Sequence, residues 1–192
     1  MALAETAGAL LTKEIAKYAK REIEKWARED SRDRGEWRGK ARYRKLDERE
    51  KSVAGYSAGD EMYRVALDES DPLRLFSYET GHEYRPAMSF DCDFGSIPEP
   101  FQEVTLDGIV NLDPLAFRRS YCTHDSGYQS GGLWVRDPKE SPEWTFVKMP
   151  RVHVDVVLLW GLSAEDADNA TLQMVYRAVR AGAGFAWRKH RK

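Results

Sequence analysis

Arg118-Arg-Ser-Tyr-Cys-Thr-His-Asp-Ser-Gly-Tyr128 is the stretch on which the reading of this chain turns. Asp113-Pro114 upstream supplies an N-cap residue and then a proline at the first helical position, where its missing N–H costs nothing. The spacing predicts a helix from there to Tyr128, ended by Gly127, Gly131 and Gly132. Phe117, Tyr121, His124 and Tyr128 fall at i, i+4, i+7 and i+11 and share one face, with Asp125 roughly 100° around the axis. An imidazole therefore points into the apolar packing while a carboxylate stands beside it.

Working outward, Met62–Leu67, Leu73–Tyr78 and Glu83–Phe90 alternate polar with apolar or aromatic residues and are split by turn formers. They read as short antiparallel strands, with Pro86 at an edge or a bulge. Phe90–Pro100 reads as a shaped loop carrying Asp91 and Asp93, Gly131–Ser141 as a loop, and Glu143–Met149 as a strand. Arg151–Leu162 is almost continuously apolar; periodicity does not choose between buried strand and buried helix, and its valines favour strand. Asp155 stands inside that run and needs a cation, a histidine or a metal as partner. Ser163-Ala-Glu-Asp166 has the form of a capping box opening a last helix over Ala164–Ala181.

The N-terminal part differs in character. Residues 6–30 form one amphipathic pattern, with Leu11, Ile15, Tyr18, Ala19, Ile23 and Trp26 on a stripe and lysines and arginines mostly off it. Such an arm docks on a partner protein, on a second copy, on an anionic membrane surface or on its own domain. Asp30–Lys51 is dense in charge, with Leu46 its one aliphatic, and reads as a solvated helix or linker. The expected architecture is α+β, a small antiparallel sheet packed on helices behind an N-terminal amphipathic helical arm. Residues 1–58 form the arm and linker, and residues 59–192 the domain.

The 192 residues, 42% apolar and 32% charged, suffice for one globular domain plus an arm. The net charge of −2 hides an asymmetry. Residues 1–51 carry 15 Lys/Arg against 11 Asp/Glu, residues 52–176 carry 9 against 21, and residues 177–192 carry 6 against none. An acidic middle makes nucleic acid an unfavoured ligand for the central domain and suits a cation. No apolar run reaches membrane-spanning length and Met1–Leu11 lacks signal-peptide features, so synthesis in the cytoplasm is expected. Cys92 and Cys122 are too few for a disulfide framework, and a single bridge between them stays open.

Three segments in order resemble a phage- and prophage-associated family of unknown function. They are Cys92-Asp93-Phe94-Gly95-Ser96-Ile97-Pro98 against a T-D-x-x-S-I-P loop, His124-Asp125-Ser126-Gly127-Tyr128 against H-D-x-x-Y, and Arg151 with Asp155. A terminal Tyr176, Val179, Arg180 and Gly184 completes the set, which spans about residues 60–187. The departures are Cys92 in place of threonine and a longer segment between loop and helix. The resemblance implies a phage protein, with virion association as an expectation, and carries no established activity. Tyr121–Tyr128 is also similar to the active-site helix of phospholipase A2 enzymes, Cys-x-x-His-Asp-x-x-Tyr, although Cys122 stands two residues before the histidine instead of three. That likeness implies His124 as general base, Asp125 and Asp93 as Ca2+ ligands, and Asp155 or Asp168 as the carboxylate orienting the histidine. Tyr128, Ser96 and Arg151 are further site candidates; His82 and His153 lack the spacing of a metal-dependent phosphohydrolase. Two readings of function stay open: a calcium-dependent, phospholipase-like hydrolase, and a non-enzymatic phage structural or accessory protein attached through its N-terminal helix.

Overall fold

The structure, a computed structural model, describes residues 34–94, 115–176 and residue 179. The arm residues Leu11, Ile15, Tyr18, Ile23 and Trp26, and likewise Ser96, Asp113 and Pro114, lie outside them. The fold is α+β, with two antiparallel sheets packed on helices. Strands β1 (Gly35–Arg38), β4 (Arg74–Ser77), β5 (Glu83–Arg85), β7 (Gly132–Arg136) and β8 (Thr145–Lys148) make a five-stranded sheet in the order β1-β4-β5-β7-β8. Strands β2 (Ala41–Lys45), β3 (Tyr63–Leu67) and β6 (Ser89–Cys92) make a three-stranded sheet in the order β2-β3-β6. The helices are α1 (Glu48–Ala54), α2 (Arg118–Ser130) and α3 (Arg151–Ser163), followed by helical residues 169–176.

Residues 34–54 are not a solvated helix or linker. They hold β1, β2 and α1, so the larger sheet begins well before residue 59, with β1 as its edge strand. The inward residues of these strands are Trp37, Ala41 and Tyr43, packed against the core, and a search for aliphatics passes over them. The charges flanking them are used locally. Asp47 and Glu50 form a capping box on α1, and Arg44 grips Glu50.

The chain crosses between sheets at Gly39 and again at Pro86. Gly39 has φ +75°, and a Cβ there would lie 2.2 Å from Pro72 O, so only glycine lets β1 turn into β2 at this close approach. Glu83–Phe90, expected as one strand, is two strands in two sheets, because Pro86 removes the donor a continuous ladder needs. Gly132–Arg136, expected within a loop, is the interior strand β7. Its Leu133 and Val135 alternate inward with Val147 of β8.

Arg151–Ser163 is helical, against its valine content. Residues from His153 to Ser163 are buried, between the larger sheet and α2. A segment buried all round must satisfy its backbone internally, and a helix does so without a neighbouring strand, so tertiary burial outweighs β propensity. Trp37 Nε1 donates to Gly161 O at 3.0 Å, and the Tyr84 and Trp160 rings meet at 5.7 Å, binding α3 to the sheet. Leu75, Leu133, Val135, Val154 and Leu158 are fully buried around this contact, each contributing about 1.5–3 kcal/mol over an exposed side chain. Among the described residues no helix is long and apolar enough to cross a membrane.

The last helix does not start at Ser163–Asp166. Ser163 still belongs to α3, Asp166 takes φ +60°, and Ala167 N–H closes back on Leu162 O at 3.0 Å. Asp168 is the new cap, its Oδ1 accepting from Thr171 N at 2.7 Å. Leu172 and Val175 then face the core.

Candidate functional site

Helix α2 is buried over most of its circumference, and Phe117, Tyr121, His124 and Tyr128 are all withdrawn from solvent. It begins at Phe117 without a side-chain cap and ends at Gly131, in the left-handed conformation at φ +71°. Gly127 does not end it. It lies inside the helix, where a Cβ would meet Val154 Cγ1 at 2.7 Å, so its missing side chain is what lets α2 approach α3. That approach brings Asp155 to His124.

Asp155 is 0% exposed, and its Oδ1 meets both His124 Nε2 at 3.1 Å and the Tyr128 hydroxyl at 2.6 Å. Its Oδ2 lies 3.9 Å from Arg151 Nε, one turn back on α3. The carboxylate accepts from Tyr128 and favours a proton on Nε2, which leaves the lone pair on Nδ1. Nδ1 is 4.0 Å from Asp125 Oδ1, beyond hydrogen-bond reach. The rings of His124 and Tyr128 stand 4.1 Å apart, which restrains the imidazole from turning. Of the two carboxylates left open by the sequence, Asp155 therefore partners His124, and Asp168 is occupied as a helix cap.

Asp125 is partly buried, and its Oδ2 accepts from the Cys92 thiol at 3.1 Å. Burial first and the Asp125 charge second push the Cys92 thiol far above its ordinary pKa, so it stays a neutral donor. Cys92 Sγ in turn accepts from Phe94 N at 3.1 Å. Phe94 is buried with φ +57°, its ring 4.5 Å from Tyr63 and 5.8 Å from Tyr43. A left-handed non-glycine residue costs about 1–2 kcal/mol, which this packing offsets. The chain leaving β6 is thus held against α2 at Asp125. Gln129 Nε2 to Asp91 O at 2.7 Å and Ala87 N to Ser126 Oγ at 3.0 Å reinforce the contact.

Asp93, partly buried, reaches this neighbourhood with Asp91 and Asp125. After burial, the charge of all three helps to raise the Tyr56 phenol. Asp91 is engaged by Arg64 through two hydrogen bonds of 2.8 and 3.1 Å. Among the described residues no group of three or more His, Cys, Asp and Glu side chains is arranged to hold a metal ion.

Cys92, not among the site residues singled out from the sequence, is the donor that fixes Asp125. Its signal was adjacency, one residue before Asp93 in a loop already singled out. Cys92 and Cys122 are both buried free thiols. No family model, curated protein or solved structure matches the chain.

Proposed function

We propose that this chain is a phage- or prophage-encoded hydrolase of the phospholipase A2 type, with His124 as general base and Asp155 as the group that orients it. The observation that carries the proposal is the sharing of Asp155 Oδ1 between His124 Nε2 and Tyr128 Oη, which fixes the tautomer whose free lone pair is on Nδ1. A water at Nδ1 loses its proton to His124 as its oxygen attacks an ester carbonyl. Asp155 steadies the imidazolium, and the proton then passes to the departing alkoxide, so the ester becomes an acid and an alcohol. Arg151 sits where it balances the Asp155 charge. The phage assignment rests on the ordered loop, helix and Arg-Asp motifs of the sequence.

The test is release of fatty acid from phosphatidylglycerol vesicles by the full chain, with and without millimolar calcium. The expected result is turnover that falls by about 10²–10⁴-fold in His124→Ala. Absence of hydrolysis by the wild-type chain under both conditions, or turnover unchanged in His124→Ala, would sink the reading.

A second reading is favoured by burial. His124 is 7% exposed and Asp155 is wholly enclosed, as suits a polar network that locks α2 onto α3 in a structural or accessory phage protein. On that reading the same substitutions lower stability and no lipid is hydrolysed. Attachment would then run through the arm, and deletion of residues 1–30 would abolish assembly with the partner.

A further inference from the structure

The outer face of the five-stranded sheet, turned away from α2 and α3, carries its own chemistry. The pairing Arg38↔Arg74, Phe76↔Glu83, Glu83↔Arg136 and Arg85↔Trp134 lays these side chains on that face. Glu83, 2% exposed, receives Arg38, Arg74 and Arg136 at 3.4, 3.3 and 2.5 Å, so it is shared by these three arginines. Arg38 has Glu36 as a further partner and Arg74 has Asp71.

Arg85 stands apart. It is 8% exposed, and among the described residues it makes no ion pair. Its Nη1 donates to Pro86 O at 3.1 Å, and its buried Nε has no acceptor. Two indoles hold the guanidinium, Trp134 at 4.8 Å and Trp144 at 4.9 Å, and Arg136 lies over the same Trp144 ring at 4.6 Å. Contacts with aromatic faces stabilise a cation but supply no acceptor in the guanidinium plane. A neighbouring arginine adds repulsion, and the buried Glu83 on this face is engaged by three other arginines.

We propose that Arg85, held by Trp134 and Trp144, is a binding site for an oxyanion, a phosphate or carboxylate group of a small ligand that meets the outer sheet face. A guanidinium held by two rings has a set orientation and donors left over after its one bond to Pro86 O, the arrangement that favours charge-assisted recognition of such groups. A single negative charge is enough to compensate Arg85, since Arg38, Arg74 and Arg136 already have carboxylate partners. The site lies across the sheet from His124 and does not depend on the hydrolase reading.

The flanking indoles provide the readout. Tryptophan emission of the full chain is followed while sodium phosphate, dimethyl phosphate or acetate replaces chloride at constant pH and ionic strength. The expected result is a saturable change with at least one of the three, about tenfold weaker in affinity in Arg85→Lys, which keeps the charge and loses the fork. Lys148→Gln, on the same face, should leave the affinity within about twofold, as an exposed charge acting only through screening would. A response to dimethyl phosphate alone names a phosphodiester, and a response to acetate alone names a carboxylate. Trp144→Phe keeps a ring at the cation and should retain binding with a smaller emission change, which covers the case in which Arg85→Lys fails to fold. A non-saturating response of the wild-type chain to all three anions, equal affinity in a folded Arg85→Lys, or an undiminished emission change in Trp144→Phe would overturn the proposal.

Discussion

The two faces of the five-stranded sheet treat a buried charge in opposite ways. On the helix side, Asp155 is enclosed and met by His124, Tyr128 and, at longer range, Arg151. On the outer side, Arg85 is nearly enclosed and, among the described residues, met by two indoles, one carbonyl and no carboxylate. Removing a partner of a buried anion leaves charge without compensation, so the Asp155 network also carries stability, beside the orienting role proposed for it. A buried cation without a counter-charge is a cost the fold tolerates, and such costs gather where something binds.

The contrast breaks most visibly at Asp155. Asp155→Ala should lower unfolding free energy by about 3–5 kcal/mol, read from urea denaturation; a loss below about 1 kcal/mol would mean the network carries little. Tyr128→Phe removes one hydrogen bond to a charged group and should cost about 1.5–3 kcal/mol by the same measurement. Arg85→Met should stay within about 1 kcal/mol of wild type, since lost ring contacts are offset by release of an uncompensated charge. A loss as large as that of Asp155→Ala would erase the difference between the faces.

The smallest effect is one of pH. His153, buried and without a hydrogen-bond partner for Nδ1 among the described residues, has its pKa lowered from 6.5 by burial. The unfolded chain therefore binds a proton more readily than the folded one, so stability is fully present above pH 6.5 and falls as pH drops toward the folded-state pKa. His153→Leu should flatten that part of the urea-stability profile, and an unchanged slope below pH 6.5 would assign the decline to other groups.

Much of the site was legible in the chain, because helical spacing is a local property. The face shared by Phe117, Tyr121, His124 and Tyr128 follows from 3.6 residues per turn, and all four are buried as that face requires. The need of Asp155 for a partner follows equally from its place in an apolar run. Local patterns misled where burial or chain crossing intervened. Valines in α3 favour strand until the segment is enclosed on all sides, and the charged residues of β1 and β2 hide strands whose inward positions are Trp37, Ala41 and Tyr43. The capping box at Ser163 was legible but lost to Asp168, since Ser163 was still within α3.

By itself the sequence determined the α+β class, the buried face of α2 and the demand for a partner at Asp155, since periodicity and the cost of burying charge act at each residue. Tertiary structure decided which partner Asp155 met, that Pro86 divides one apparent strand between two sheets, and that Arg85 lies among rings while Glu83 takes three other arginines. Those outcomes depend on strand order and helix crossing, which join residues far apart in the chain and leave no trace in local spacing.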